Sequence, residues 1–382
     1  METVPPIDNA MAAFERFFAE RIEPRLAGWH KENAVPREIF QEMGEAGWLG
    51  SRWDRGKMRP HSGLRETLIL ERIARKSPGF AVSVLIVSDL GLTALRKFGG
   101  DGLLSRYGKE ACAGQRLICM ANSENRAGSD AAGIGMTAEK TSGGWRLNGA
   151  KAFVTNGLIS DLAVVTAVTD PDAERNRRIS MFLVDLSADG VGRKRLGKQV
   201  WTPSDLTRLE FSEVFVPQDH MMGDRGRGLS QVLSVFTLSR VPISGLALGT
   251  AEGAFELALF HAAKRRVFGR PIAAQQAKSF EIADLHARIE AARQVLFKAC
   301  EAMDGGGDFR LEASMAKYLC VDVSQKVGWW AADLFGAVSV VADHPIHRFP
   351  LDAWAVSLAE GTQDVQKLVI FRETMKRFGD RM

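Results

Sequence analysis

The chain has 382 residues, of which 46% are hydrophobic and 25% charged, with a formal net charge of +4. It is too long for one ordinary domain, suits two or three, and has the composition of a soluble globular protein. The positive charge is scattered. Short basic clusters at 175–178, 193–195 and 264–266 are not interleaved with aromatics, which speaks against nucleic-acid binding.

Residues 1–118 read as helical. Apolar residues recur at spacings of three and four over Met11–Ala27, Pro36–Ala46 and Leu64–Arg75. Pro36, Pro60 and Ser62-Gly63 mark loops, and the apolar stretch at 81–96, broken by Asp89, reads as a buried helix. The first twenty residues carry acids and no continuous apolar segment, so no signal peptide is expected.

Residues 119–225 change texture to strands. Gly143-Gly144, Asn148-Gly149 and Asn156-Gly157 predict hairpin turns, because these residues tolerate positive φ. Short strands are expected at Trp145–Leu147 and Ala152–Thr155 between them, with more at Leu162–Val168, Ile179–Leu186 and Leu206–Val216.

Residues 226–382 return to helix. The segments are Leu229–Arg265, interrupted at Pro242, then Gln275–Met303, Leu311–Ala342 and Thr362–Phe378, with Gly305-Gly306-Gly307 as a flexible connection. The texture changes place domain limits at 1–118, 119–225 and 226–382. No uncharged run approaches a membrane span; Glu252 and Glu256 break the apolar stretch near 245–260.

Several chemistries are excluded by absent motifs. There is no GxGxxG after a strand, no GKS or GKT, no HExxH and no GxSxG. His344 and His347 read as loop residues, and no metal site is expected. Cys112, Cys119, Cys300 and Cys320 lack zinc-like spacing and read as reduced residues of a cytoplasmic protein.

Two segments are more pointed. From Arg265 to Gln276 a helix ends on two arginines, Gly269-Arg270-Pro271 turns the chain, and a helix restarts. An arginine fork there suits a phosphate, or simply complements the helix dipole. Glu360, within Ala359-Glu360-Gly361-Thr362, lies on a break between two helical stretches beside apolar residues. Partial burial would raise its pKa and make it a base near neutral pH. The alternative is an acid at the positive end of the helix that Thr362 caps.

In order and spacing, A-G-S-D at 127–130, K-A-F-V-T-N-G at 151–157, the Arg265–Gln276 segment and A-E-G-T at 359–362 resemble the acyl-CoA dehydrogenase family over nearly the whole chain. The resemblance implies an α+β fold: an N-terminal helical domain, a middle β-barrel-like domain and a C-terminal four-helix bundle. It implies FAD between the middle and C-terminal domains, completed by a neighbouring subunit of a homo-oligomer, tetramer or dimer. The implied reaction is α,β-dehydrogenation of an acyl thioester, acyl-CoA or acyl-carrier protein, with an electron-transfer flavoprotein as acceptor.

Position by position, the resemblance makes Glu360 the base and Gly361 the residue that lets the chain turn beside the substrate. It sets Ser123 and Ser129 beside flavin and thioester, and Phe153 and Thr155 on the strand covering the flavin. Arg265, Phe268 and Gln276 match the segment that binds the adenine-diphosphate half of the neighbour's FAD, and Thr362 a hydroxyl that touches FAD. Arg240 matches an arginine near the CoA or catalytic pocket. Some relatives carry their base one residue before it, where this chain has Ser239, which cannot act as one.

The chain also departs from the family. Asp333 and Ala337 stand where Gln and Gly are usual in the segment approaching the neighbouring FAD, and Ala359 stands where Tyr is common. These departures point away from ordinary fatty-acid oxidation. Two other readings go with the same fold: a flavin monooxygenase or oxidase, whose members generally lack this Glu, and a degenerate non-catalytic subunit.

Overall fold

The computed structural model describes residues 7–379. Residues 1–6 and 380–382, included in the expected domain limits and in the leader reading, lie outside the described residues.

The N-terminal region is helical: α1 (Ile7–Phe17), α2 (Leu26–Glu32), α3 (Glu38–Glu45), α4 (Gly63–Ala74), α5 (Pro78–Leu85), α6 (Thr93–Phe98) and α7 (Gly100–Cys112). Ser62 and Ser77 cap α4 and α5 by accepting the N–H of Arg65 and Phe80, each at 3.3 Å. A π-helical turn at Ile86–Leu92 joins α5 to α6 in one buried rod. Sequence reading missed a hairpin, β1 (Ser51–Asp54) and β2 (Lys57–Pro60). Arg55 and Gly56 both take positive φ (48° and 77°), the geometry of a type I′ turn, and Arg in place of the usual Asn, Asp or Gly at the first position hid it.

The middle region is a mixed sheet built from β3 (Ile118–Ala121), β4 (Thr137–Thr141), β5 (Gly144–Thr155), β6 (Leu162–Val168), β7 (Ile179–Asp185), β8 (Val191–Arg195), β9 (Leu206–Pro217) and β10 (Met221–Met222). The order is β10-β7-β6-β4-β5-β9-β8, with β3 parallel to β6. Leu162–Val168 is buried throughout, as a strand covered on both faces must be.

Only one of the three expected hairpins forms. Thr141 pairs with Gly144 across the Ser142-Gly143 turn. At Asn148-Gly149 the chain does not fold back: Trp145–Leu147 and Ala152–Thr155 belong to the single strand β5, which shifts register between Leu147 and Gly149 and again between Lys151 and Val154. Gly149, at φ +139°, would set a Cβ 3.0 Å from Met136, so the bulge needs glycine there. Asn156, at φ +62°, ends β5, and its side chain donates to the Ser83 carbonyl at 2.8 Å.

The C-terminal region is four long helices and a short one: α8 (Gly228–Lys264), α9 (Gln276–Asp304), α10 (Arg310–Phe335), α11 (Phe349–Val356) and α12 (Gln363–Gly379). The small hairpin β11 (Arg266–Val267) and β12 (Arg270–Pro271) lies between α8 and α9. Pro242 does not interrupt α8. It cannot donate to the Leu238 carbonyl, but burial of the surrounding turns carries the helix through. Gly245, Gly249 and Gly253 let α8 touch the backbone of α4. A Cβ on them would meet the carbonyl oxygens of Thr67, Glu71 and Arg75 at 2.6, 2.1 and 2.2 Å.

The helix expected to reach Ala342 ends at Phe335, where Gly336 takes positive φ (63°) and a 3-10 turn follows. Two stretches, Pro78–Phe98 and Gly228–Lys264, are long and apolar enough to cross a membrane by length and composition. Neither is an uncharged run, since Asp89 breaks the first and Glu252 and Glu256 the second. Their apolar windows are 94% and 72% buried inside the protein, as in core helices. Among the described residues no group of three or more His, Cys, Asp or Glu could hold a metal ion.

Candidate active site

Glu360 lies on the break between α11 and α12, and residues of α8, α10 and α12 hold it. Its backbone takes positive φ (52°), followed by Gly361 at 94°. A non-Gly residue in that region needs external support. Lys317, fully buried on α10, supplies it by donating Nζ to the carbonyls of Ala359 and Gly361 on either side. Gln366, fully buried on α12, donates to the carbonyls of Glu360 (3.3 Å) and Gly361 (2.9 Å). Thr362 caps α12 by accepting the N–H of Val365 at 3.4 Å.

The carboxylate does not serve the α12 terminus, so the helix-dipole reading fails. Its Oε2 accepts a 2.7 Å hydrogen bond from the Ser239 hydroxyl on α8, while Oε1 is enclosed with no partner among the described residues. Arg240, 6% exposed, brings its Nε to 3.5 Å from the Glu360 carbonyl.

Electrostatics make this carboxyl a near-neutral titrating group. Burial pushes it up to about 7, against the Ser239 hydrogen bond and the charges of Lys317 and Arg240, which favour the ionised form. Burial pulls Lys317 down to about 7, with Glu360 opposing and Arg240 assisting. Ser239 therefore tunes Glu360 rather than replacing it. In Ser239→Ala that hydrogen bond is lost, the Glu360 pKa rises, and the acid limb of the kcat/KM profile moves to higher pH. An unmoved limb would remove Ser239 from this role.

The other expected site residues form two further groups. In the first, the Ser123 backbone carbonyl accepts the Ala152 N–H at 2.9 Å, tying its loop to β5. Phe153, at φ +58° within the bulge, turns its ring out to 60% exposure, and Thr155 is buried two residues on. Ser129 is exposed on the same loop.

Sequence reading missed what holds this loop. Lys151, fully buried on β5, donates to the Asn122 carbonyl (3.0 Å) and to Glu124 (2.8 Å). Glu124 also accepts the N–H groups of Gly135 and Met136. Burial draws Lys151 down to about 8, with Glu124 resisting. Although burial opposes it, the Lys151 charge and those amides hold the Glu124 carboxyl below its ordinary value. A lysine on the inward side of an apolar strand was the available signal.

In the second group, Phe268 stands on the β11–β12 turn at φ +50°, 95% exposed. Arg265 and Gln276 are exposed on the flanking segments. Asp333 lines the adjoining groove of about 480 Å³ with Trp330 and Gln275, and Ala337 is exposed beyond it. Among the described residues no hydrogen bond or ion pair joins the Glu360, Phe153 and Phe268 groups.

The donor set fits a large flavin. An outward aromatic ring on β5 offers an apolar face, and the exposed Ser129 on the loop tied to that strand offers a hydroxyl. An exposed aromatic with arginines beside it offers stacking and diphosphate recognition. Lys317 and Gln366 were the other omissions. A lysine inside the buried stripe Ala313, Ala316, Cys320 and Val321 of α10 was legible as an anomaly.

Comparison with known proteins agrees with this arrangement. Residues 8–115, 119–214 and 226–375 match the models of the acyl-CoA dehydrogenase N-terminal, middle and C-terminal domains. The chain is 32% identical over 361 residues to an acyl-CoA dehydrogenase of Bacillus subtilis, covering 93% of this chain and 94% of that one. It is 29% identical over 349 residues to the CarC subunit of the caffeyl-CoA reductase–Etf complex of Acetobacterium woodii, covering 90% of each. The butyryl-CoA dehydrogenase structure from Megasphaera elsdenii superposes with a TM-score of 0.90 at 26% identity, covering 98% of this chain and all (100%) of that one. With a buried carboxyl poised on the α11–α12 break, flavin-compatible surfaces on β5 and the β11–β12 turn, and all three domains matched, the chain belongs to the acyl-CoA dehydrogenase family of FAD-dependent oxidoreductases acting on CH–CH groups.

Proposed function

We propose that Glu360 is the base that removes the α proton of an acyl-CoA. The observation that carries this is its divided carboxylate: Oε2 is held by Ser239 while the enclosed Oε1 has no partner among the described residues. An enclosed, unpaired oxygen on a group titrating near 7 suits proton abstraction at neutral pH. The backbone N–H of Glu360 donates to nothing among the described residues and is available to the thioester oxygen, where charge develops as the proton leaves. Lys317 and Gln366 hold the left-handed turn that aims both groups. Bound FAD supplies the acceptor for the hydride leaving the β carbon.

Ser123, Ser129, Phe153, Thr155 and Thr362 are the flavin contacts of this reading, and Arg265, Phe268, Gln276, Asp333 and Ala337 those of a neighbour's FAD. The Phe268 and Phe153 groups stand on different elements, the β11–β12 turn and β5, which supports that division. Arg240, Gly361 and Ser129 face the thioester. The matched family segments support domain limits of 1–118, 119–225 and 226–382.

Exposed apolar side chains on the bundle, among them Phe260, Phe280, Trp329, Phe371 and Phe378, support a homo-oligomer, tetramer or dimer. A monomeric mass for the FAD-loaded protein in sedimentation would overturn that. Four free, buried cysteines support a cytoplasmic location. The Etf complex of the Acetobacterium relative supports an electron-transfer flavoprotein as acceptor.

The test is anaerobic titration of the holoenzyme with a panel of acyl-CoAs and acyl-carrier proteins. Acyl-CoAs are expected to bleach the flavin, with reoxidation by an electron-transfer flavoprotein. If none bleaches it, or if the protein stays colourless with added FAD, the reading fails.

A further inference from the structure

A second buried carboxyl, on which the charge of Glu360 acts, is not used by the reaction. Asp89 sits in the π-helical turn Ile86–Leu92, a kind of irregularity that recurs at functional sites. It is 7% exposed, and its Oδ2 has no hydrogen-bond partner among the described residues. The charges that act on it are Glu66 of α4 and Glu360 itself, both acids. Glu66 is occupied by Arg65 at 3.3 Å; among the described residues no cation pairs with Asp89. On the same rod the hydroxyls of Ser83 and Ser88 are also buried without partners.

A helix that only had to pack, or only had to line a channel for a plain alkyl chain, would not carry these groups. A buried polar atom left unpaired costs stability. Such a group in a native site needs an explanation, and a partner that arrives with the ligand is one.

We propose that Asp89 is a specificity-determining residue, and that the acyl group this enzyme oxidises carries a hydrogen-bond donor, an O–H or N–H, that reaches Asp89 Oδ2. The proposal rests on Glu360 being the base. The donor stands along the acyl chain, away from the thioester end that Glu360 and its N–H engage. A site built to hydrogen-bond a substrate donor rejects the analogue lacking it far more strongly than an apolar pocket rejects a missing methylene.

The experiment is stopped-flow flavin reduction of the holoenzyme by pentanoyl-CoA and its 5-hydroxy, 5-amino and 5-methoxy derivatives. The hydroxy or amino compound is expected to exceed pentanoyl-CoA in reduction rate over Kd by about 10²-fold or more. Asp89→Leu should bring that ratio to about one. Asp89→Asn should keep a preference for the hydroxyl and lose one for the amine, which separates the two donors.

Equal or better reduction by pentanoyl-CoA or the acceptor-only methoxy compound in the wild type overturns the proposal, as does an unchanged ratio in Asp89→Leu. If Asp89→Leu loses its flavin, the wild-type ratios and Asp89→Asn decide. Pentanoyl-CoA that reduces the flavin while the ratios fail sinks only the role of Asp89. Failure of every acyl-CoA sinks the base as well.

Discussion

Glu360→Gln leaves the fold and the bound flavin in place and slows flavin bleaching by acyl-CoA by about 10²- to 10⁴-fold or more, the loss expected when a positioned base is removed. The amide oxygen still accepts from Ser239, and Lys317 and Gln366 still bond the flanking carbonyls, because those contacts are to the backbone. What disappears is the proton acceptor. The variant should show a normal flavin spectrum and an unchanged melting temperature within a few degrees. A rate within tenfold of wild type would remove Glu360 from the base position. Loss of flavin would show instead that the carboxylate holds the fold.

The largest stability effect falls far from the chemistry. Gly249→Ala sets a methyl 2.1 Å from the Glu71 carbonyl oxygen and 2.8 Å from its carbonyl carbon. Both are backbone atoms, so no side-chain rotation relieves the clash, and α4 must move away from α8. Glu71 also pairs with Arg293 at 2.7 Å, and Arg293 bonds Glu252 of α8, so the shift strains a buried ion network as well. Overpacking of this kind costs about 1–3 kcal/mol, which at this chain length lowers Tm by roughly 1 °C per kcal/mol. The control is Gly102→Ala, whose added methyl meets nothing within 4 Å; it should be neutral or slightly stabilising. Equal melting of the two variants would refute the close α4–α8 contact. Because α8 also carries Ser239 and Arg240, Gly249→Ala should weaken catalysis along with stability.

Much of this was readable from local pattern. The long C-terminal helices appear where apolar spacing placed them, since a stripe repeating every three or four residues has to be buried. Thr362 caps α12 because its hydroxyl is set to accept a free N–H at the helix start. The strand segments were found, but their joints were misjudged. Asn148-Gly149 has the chemistry of a hairpin turn and also of a bulge, and the pairing of β5 with β9 chose the bulge. Pro242 has the chemistry of a helix breaker, and burial against α4 and α10 outweighed it.

Chain order and residue type determined the three-part layout, the helix start at Thr362 and the motifs that single out Glu360, since these depend on neighbours a few positions away. The company Glu360 keeps was a matter of packing. Ser239, Lys317 and Gln366 come from three different helices, 121 and 42 or 44 positions away for the first two and 6 for the third. The left-handed turn at 360–361 persists because Lys317 is buried exactly where two carbonyls need a donor. Desolvation, which raises the Glu360 carboxyl to about 7, likewise exists only once the helices have closed around it.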